Sequence, residues 1–315
     1  MISLIRNELM KMFQKKSSWI YIILIIAGVI AGGVIYDKIT PEPNADWKQQ
    51  LQAETAALEK DLSKQKGQET EFTAAQIKQN QSYIDADVNP NEVTNWHFMN
   101  SVVYGFTSLV TLLAVIVCSA SVSSEFADGT IKQLLIRPHQ RWAILLSKYI
   151  SLLIYAAILI AVLIGAGYLT GTALFGNGDF STKFFEAGFD GGVKETLVGP
   201  QFFLKILYYI PSLLIITAIA FMLSTLFKSQ ALAVGIGIFV LFVSSSLGGL
   251  IVVLADKYEW AKFLIFPHLD LTVYALQDKI LGDITLPISL LILAVYYLVF
   301  MTLTFFFFQR RDISI

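Results

Sequence analysis

The chain has 315 residues, of which 55% are hydrophobic and 15% are charged, and its mean hydropathy is +0.63. Soluble globular domains have about 25% charged residues, so this composition excludes an ordinary soluble domain and predicts a membrane protein. The formal net charge of −1 gives no sign of a basic surface for nucleic acid, and we expect no nucleic acid among the partners. The single cysteine, Cys118, excludes an internal disulfide.

The first predicted element is an amphipathic helix within residues 1–17. Ile2, Ile5 and Leu9 recur at helical spacing, whereas Arg6 and Lys11 fall on other faces. A basic helix of this kind lies in the inner membrane surface, in contact with lipid. The alternative is a positively charged leader that only precedes the first span.

Six uncharged apolar stretches follow, each long enough to cross a bilayer as a helix. The hydrocarbon core is about 30 Å thick and a helix rises about 1.5 Å per residue, so about 20 residues suffice. None of the six contains Asp, Glu, Lys, Arg or His. The predicted fold is therefore an all-α polytopic membrane protein whose six-span domain covers residues 18–315. The predicted spans are 18–36, 100–124, 149–175, 206–227, 229–255 and 284–308.

The loop charges predict the orientation of these spans. With the N-terminus inside, the inner segments carry 11 basic and four acidic residues, a net of +7, whereas the outer loops carry a net of −8. All five arginines fall on the inner side. This asymmetry follows the positive-inside rule and predicts a plasma-membrane protein with both termini in the cytoplasm.

The first outer loop, residues 37–99, is long and polar. The spacing of its apolar residues predicts a helix from about Trp47 to Leu62 and a second from about residue 73 to 84, joined by a turn at residues 66–68. These helices would form an extracellular helical hairpin inserted between the first two spans. A partly disordered loop is the alternative.

The other two outer loops differ in composition. Residues 176–205 are rich in glycine and phenylalanine, and we assign them no chemistry. Residues 256–283 are too apolar for a solvated linker. We expect this second stretch to dip back into the outer leaflet as short half-helices, which requires protein to shield its backbone.

The most informative inner segment is residues 125–148, between the second and third spans. Asp128-Gly129 predicts a turn and Pro138 ends a helix of barely two turns. Such a short helix is not stable alone. Its apolar residues therefore need either the membrane surface or a groove on another protein.

This segment resembles that of a known family, the permease subunits of type-2 ABC exporters. The shared topology includes six spans, cytoplasmic termini, an N-terminal interfacial helix and apolar outer half-helices, so the resemblance covers nearly the full chain. The residues that carry the motif are Glu125, Asp128, Gly129, Thr130, Ile131, Lys132, Leu134, Leu135, Arg137, Pro138, Arg141 and 145–148.

The resemblance implies a coupling helix around Glu125 to Arg137 that sits in a cleft of a separate cytoplasmic ABC ATPase. Glu125 would pair with a basic residue of that ATPase, while the leucines fill the groove. A second permease, in a homodimer or a heterodimer, is implied as well. The alternative is an ordinary membrane-hugging loop, in which Arg137 and Arg141 only anchor the topology.

The energy source is expected in the partner chain. The sequence lacks the G-x-x-x-x-G-K-[ST] motif, and its spans lack the ionisable groups that usually bind a coupling proton. We expect ATP and Mg²⁺ in the ATPase and no cofactor in this chain. His97, His139 and His268 lie on loops without paired ligands and are expected to be solvated or interfacial, so the chain is not predicted to be an enzyme.

The expected function is export of an amphiphilic compound, such as a peptide antibiotic, a lipid-like compound or a drug. The most polar patch at depth is proposed as part of the translocation surface. It consists of Ser244, Ser245, Ser246 and Gly248. Two rival functions stay open: a membrane sensor or immunity component that binds a ligand through its outer loop without transport, and a polytopic membrane enzyme.

Small residues recur four apart in three spans, at Gly28/Gly32, Gly167/Gly171 and Ala231/Gly235. Such spacing lets helices approach closely. We expect it to serve packing within the chain rather than a dimer seam.

Overall fold

The computed structural model describes residues 1–41, 43–62, 68–130, 140–188, 192–255 and 257–311. These residues are mostly helical. The helices are α1 (Ile2–Gln14), α2 (Lys16–Ile39), α3 (Trp47–Leu62), α4 (Gln68–Asp85), α5 (Asn95–Ala127), α6 (Arg141–Phe175), α7 (Val198–Leu226), α8 (Gln230–Ala255) and α9 (Leu286–Arg310).

Five of the described helices are long and apolar enough to cross a membrane: α2, α5, α6, α7 and α9. Helix α8 bends by 42° between Gln230–Ser244 and Ser246–Ala255, and it makes a sixth span if its two halves count as one. The chain is thus a polytopic, mainly helical membrane protein.

Several helices extend beyond the apolar runs that predicted them. Helix α6 begins at Arg141 rather than residue 149, and α7 begins at Val198 rather than residue 206. The reason is that hydropathy detects only the lipid-facing part of a helix, whereas backbone hydrogen bonding continues into flanking polar residues. The longer helices therefore contain Lys148 and Lys205, although the predicted spans contain no charge.

The all-α prediction is incomplete, because two small antiparallel hairpins occur in the loops. Strands β1 (Lys183–Ala187) and β2 (Val193–Leu197) pair with Lys183 opposite Leu197. Strands β3 (Lys279–Ile280) and β4 (Ile284–Thr285) form a two-residue ladder just before α9. The first hairpin falls in the loop at residues 176–205, to which we assigned no chemistry and for which we predicted no strands.

The apolar loop before α9, for which we expected short half-helices, forms three short 3₁₀ helices. They span Glu259–Phe263, Phe266–Leu269 and Leu271–Ala275. Leu271 is fully buried and packs with Ile215 of α7 and Leu293 of α9. The apolar composition of this loop thus reflects packing against the spans.

The two ends of the helix bundle differ. At one end, which we call the basic end, α1, the end of α5, the start of α6 and the end of α9 meet. At the opposite end, Gln79 of α4 donates a hydrogen bond to the carbonyl of Phe185 in β1, and Lys205 of α7 pairs with Glu186 at 2.7 Å. Helices α3 and α4 and the β1–β2 hairpin therefore lie together, away from the N-terminus.

Close helix contacts occur at the predicted small residues. A Cβ atom at Gly167 would lie 2.6 Å from Val103 of α5, and one at Gly28 would lie 2.8 Å from Phe106. A Cβ at Gly235, in contrast, would meet nothing within 4 Å. Packing within the chain thus accounts for Gly28, Gly32, Gly167 and Gly171, whereas Gly235 faces open space.

We predict that Gly167→Ala and Gly235→Ala shift stability in opposite directions. The first change forces α6 away from α5 and should cost about 1–3 kcal/mol of unfolding free energy. The second adds no clash and removes a helix-disfavouring glycine, so it should be neutral or stabilising by up to about 1 kcal/mol. Denaturant unfolding of both variants in detergent measures this, and equal losses would contradict the packing described here.

Candidate functional site

The predicted coupling residues begin at the basic end. Glu125 lies in the last helical turn of α5, Ser123–Ala127, and Asp128, Gly129 and Thr130 follow it. Gly129 has φ +70°, a backbone conformation that favours glycine, so the chain turns there. Ile131, Lys132, Leu134, Leu135 and Arg137 lie outside the described residues, as does the two-turn helix predicted for them. The description resumes at Gln140, and Arg141 starts α6.

A buried lysine joins Glu125, at the end of α5, to α1 and α6. The Lys148 side chain, in α6, is 2% exposed. Its Nζ lies 2.5 Å from Oε1 of Glu125 and 2.8 Å from Oε2 of Glu8 in α1. A buried ammonium without partners is costly, and these two carboxylates supply them. Lys148 therefore holds α1, α5 and α6 together.

Lys11 completes a four-residue charge cluster, which consists of Glu8, Lys11, Glu125 and Lys148. The Lys11 Nζ lies 2.9 Å from Oε1 of Glu8 and 3.5 Å from Oε1 of Glu125. The two positive and two negative charges balance one another. Glu125 was expected to pair with a basic residue of the ATPase, but the structure gives it two lysine partners inside the chain.

The pKa values of the α1 members agree with this pairing. Burial opposes ionisation of Glu8, but Lys148 and Lys11 outweigh it and hold the pKa of Glu8 below its usual value of 4.5. Burial likewise opposes the charge of Lys11, but Glu8 and Glu125 raise its pKa. A carboxyl whose pKa falls on folding contributes stability above its unfolded pKa and loses it as the pH drops. The contribution of the ionised Glu8 to the free energy of unfolding is thus complete at neutral pH and is lost only in acid.

A second set of contacts fixes the other end of the segment. The Arg141 guanidinium donates to the carbonyls of Gln309 at 3.2 Å and Arg311 at 3.3 Å, at the end of α9. The Arg311 guanidinium stacks 4.2 Å from the ring of Phe126 and donates to the carbonyl of Thr225 in α7. Residues 125–141 are therefore attached at both ends to α1, α6, α7 and α9.

A serine of α7 holds a break in α5 at the same level. The regular helix stops at Ala120 and resumes at Ser123. The Ser224 Oγ accepts hydrogen bonds from the backbone N–H groups of Val122 at 2.9 Å and Ser123 at 3.0 Å. Because both N–H groups are buried, this side chain satisfies donors that the break leaves without helical partners. The last turn of α5 is thus fixed to α7.

A cavity of about 610 Å³ lies beside the charge cluster. Its walls come from α1, α2, α5 and α6 and from Gln230 at the start of α8. One part of the wall is charged and includes Lys15, Glu125 and Asp128, whereas another is apolar and includes Ile116. The cavity volume falls within the range of small-molecule sites, about 300–1,000 Å³.

The predicted translocation residues do not line this cavity. Ser244 is 9% exposed, whereas Ser246 is exposed and donates only to the Phe242 carbonyl of its own helix. Gly248 lies near the backbone of Phe266, where an added Cβ would be 3.8 Å from the carbonyl oxygen. Ser245 lies at the bend of α8, and its side chain is outside the description. The structure does not gather these residues on one described surface.

The expectation that the histidines are solvated or interfacial is wrong for two of the three, because both are buried. His97 is 8% exposed and its Nδ1 lies 3.0 Å from the Thr94 Oγ1. His268 is fully buried between the Ser289 Oγ and the carbonyl of Lys262, each at 2.8 Å. Both were assumed to lie on loops that face water, but His97 lies in the first turn of α5 and His268 lies in a loop that packs onto the spans. His139 lies outside the described residues.

Sequence reasoning missed most members of the charge cluster. Glu8 and Lys11 carry a local signal, because their i,i+3 spacing places them on one helix face. Lys148 was counted as an inner positive charge and as the last residue of the motif, and no partner was predicted for it. Its partners lie 140 and 23 residues away, and a single sequence gives no means of finding such pairs.

Comparisons with known proteins match this chain to one family and two relatives whose descriptions state no function. The family described as "Protein of unknown function (DUF2705)" matches residues 69–314. The "Uncharacterized protein YhcI" of Bacillus subtilis (strain 168) is 32% identical over 318 residues, which cover 100% of both chains. The "Uncharacterized membrane protein YdbK" of the same organism is 27% identical over 209 residues, 66% of this chain and 79% of that relative.

We predict that Lys148→Met strongly destabilises the protein, because it leaves the Glu125 carboxylate, whose Oε2 is buried, with Lys11 at 3.5 Å as its remaining ion-pair partner among the described residues. Breaking a buried ion pair in this way costs about 3–5 kcal/mol. The matched control is Lys183→Met, which removes an ion pair with Glu195 at 2.6 Å whose side chains are both 52% exposed and should cost less than about 1 kcal/mol. Denaturant unfolding in detergent measures both.

The double variant Glu125→Gln/Lys148→Met separates loss of the pair from loss of packing. Removing the orphaned charge should recover part of the stability lost in Lys148→Met. A single-variant loss as small as that of Lys183→Met, or no recovery in the double variant, would contradict the role given to the cluster.

Proposed function

The chain belongs to the DUF2705 family, and on the arrangement of its basic end we propose that it is the permease subunit of an ATP-driven exporter. In this proposal the chain lies in the plasma membrane with both termini in the cytoplasm. It pairs with a second permease, identical or paralogous, and each permease binds one ATPase subunit. ATP and Mg²⁺ are held by the ATPase, and this chain forms or breaks no covalent bond.

The observation that carries the proposal is the attachment of residues 125–141 at both ends. A segment that transmits force must be fixed to the helices that it moves. Glu125 is tied to α1 and α6 through Lys148, whereas Arg141 is tied to the end of α9. A push on the segment would therefore reach four helices rather than bend a free loop.

The break in α5 supports the same interpretation. If α5 were unbroken, a force on its end would act along the helix axis. The last turn of α5 is instead separate from the rest of the helix and is held by Ser224 of α7. Movement of this turn would pull α7 directly. We propose that closure of the ATPase subunits moves this turn and thereby switches the bundle from inward to outward access.

The proposed cargo is an amphiphilic compound, such as a peptide antibiotic, a lipid-like compound or a drug. The charge asymmetry of the chain, basic at one end and acidic at the other, supports passage of an amphiphile that bears positive charge. The rival interpretation as a sensor predicts ligand binding that persists when the partner cannot hydrolyse ATP, whereas export requires hydrolysis.

The experiment is co-purification with the ABC ATPase expected in the neighbouring reading frame. We predict that Leu134→Asp/Leu135→Asp abolishes recovery of the ATPase while membrane insertion is unchanged, because charged side chains cannot fill an apolar groove. The matched control is Leu58→Asp/Leu62→Asp in α3, which should leave recovery unchanged.

Two outcomes would overturn the proposal. The first is unaltered ATPase recovery with the Leu134/Leu135 variant. The second is transport of a solute into sealed vesicles by the purified chain alone, with no nucleotide-hydrolysing partner present.

A further inference from the structure

A buried histidine joins the loop between α8 and α9 to the last span. His268 lies in the 3₁₀ helix Phe266–Leu269 and is 0% exposed. Its Nε2 lies 2.8 Å from the carbonyl oxygen of Lys262, in the preceding 3₁₀ helix, and its Nδ1 lies 2.8 Å from the Ser289 Oγ in α9. The imidazole ring thus connects two parts of this loop to α9, at the end of the bundle opposite the basic end.

Ser289 extends this contact to a third part of the loop. Its Oγ lies 2.6 Å from the hydroxyl oxygen of Tyr274, in the 3₁₀ helix Leu271–Ala275. Ser289 is 0% exposed and Tyr274 is 5% exposed, so both hydroxyls belong to the buried network. The network therefore also holds the segment of the loop that packs against α7 and α9.

The hydrogen bonds of this network can form with His268 neutral or protonated. A carbonyl oxygen only accepts, so Nε2 carries a proton and donates it to Lys262. In the neutral ring Nδ1 accepts from the Ser289 hydroxyl, which in turn accepts from Tyr274. A proton on Nδ1 would reverse these two bonds, and the Tyr274 hydroxyl would donate to the carbonyl of Ile284 at 3.1 Å. The cost of protonation is therefore the buried charge rather than a lost hydrogen bond.

The carboxylates of the loop do not compensate that charge. Glu259 and Asp283 lie 2.9 Å and 3.1 Å from the Nζ of Lys262 and form ion pairs with it. Asp270 accepts from a backbone N–H group of the following 3₁₀ helix at 3.0 Å. Within the described residues, none of these carboxylates forms an ion pair with His268. A buried charge without a partner is costly, so the closed loop favours the neutral ring.

The helices packed against the loop supply no carboxylate either. Helix α8 contains no charged residue, and the one charged residue of α9 is Arg310, at its far end. The one charged residue of α7 is Lys205, which pairs with Glu186. Burial accordingly lowers the pKa of His268 below its usual value of 6.5, and the bond to the Lys262 carbonyl acts in the opposite direction. The titratable side chains of α7 and α9 that pack with the loop are Tyr208, Tyr296 and Tyr297.

We propose that His268 is a proton-sensitive latch of the loop between α8 and α9, residues 257–285. The neutral ring holds the loop closed on α7 and α9 at neutral pH, and uptake of a proton in mild acid releases it. Release would uncover Leu271, which packs with Ile215 of α7 and Leu293 of α9. This end of the bundle would then open. The latch involves no ATPase, so it can fail while the proposed export function holds, and the reverse.

The pH range of the latch follows from linkage between protonation and loop closure. A histidine whose pKa is lower in the closed loop than in water contributes stability above its pKa in water and loses it as the pH falls. The pKa in water is about 6.5. Each pH unit below that value therefore shifts the equilibrium toward the open loop by up to about tenfold, until the pKa of the closed loop is reached.

Hydrogen–deuterium exchange of the full chain in detergent, at about pH 7.5 and about pH 5.5, tests the latch. The amides of His268, Leu276 and Gln277 form backbone hydrogen bonds within the loop. After correction for the intrinsic pH dependence of exchange, they should exchange up to about tenfold faster at the lower pH. The amides of α3 should not change and serve as the internal control.

Two glutamine variants identify the group that takes up the proton. In His268→Gln the amide keeps a donor and an acceptor but takes up no proton, so the acceleration should disappear. The matched control is His97→Gln. His97 is also buried, but it lies in the first turn of α5 and bonds to Thr94, so this variant should keep the acceleration.

Three outcomes overturn the proposal: no acceleration in the unaltered chain, the same acceleration in His268→Gln, or its loss in His97→Gln. A melting temperature at neutral pH shows whether each variant has folded. If His268→Gln has not, an NMR titration of ¹³C-labelled histidine in the unaltered chain decides, with signals assigned by His97→Gln and His139→Gln. A His268 pKa below about 6.5 supports the latch, whereas a pKa at or above that value overturns it.

Discussion

The buried ammonium of Lys148 is the interaction on which the basic end of this protein depends. A charge that is 2% exposed cannot remain in the folded chain without compensating groups. The two carboxylates that compensate it come from α1 and from the last turn of α5. The N-terminal helix, the second span and the third span are therefore held at one point, and moving any one of them separates a buried ion pair.

The contacts at Arg141 and Arg311 extend this constraint to the end of the chain. Arg141 reaches the carbonyls at the end of α9, and Arg311 reaches Phe126 and α7. Residues 125–141 thus begin and end on fixed points. The attachment of both ends of this segment to the bundle is the physical basis of the proposed coupling to an ATPase.

The sequence predicted those features that depend on local composition. Five of the six apolar runs correspond to membrane-length helices, because a backbone in lipid must satisfy its own hydrogen bonds, and the run at residues 229–255 falls on the bent helix α8. The helices of residues 47–62 and 68–85 also follow from local periodicity. The pairing of Lys148, the role of Ser224 and the burial of His268 depend on residues far apart in the chain, so no local pattern reveals them. The β1–β2 hairpin was missed because its glycine and phenylalanine content was considered without the alternation of its strands.

Hydrogen–deuterium exchange of the Lys148→Met variant tests the central claim most directly. If Lys148 holds α1 to the end of α5, the amides of Ile2–Gln14 and of Ser123–Ala127 should exchange faster together than in the unaltered chain, because both elements lose their shared attachment. The amides of α3, at the opposite end, should not change and serve as the internal control. Unchanged exchange in both segments, or acceleration of only one of them, would contradict the account.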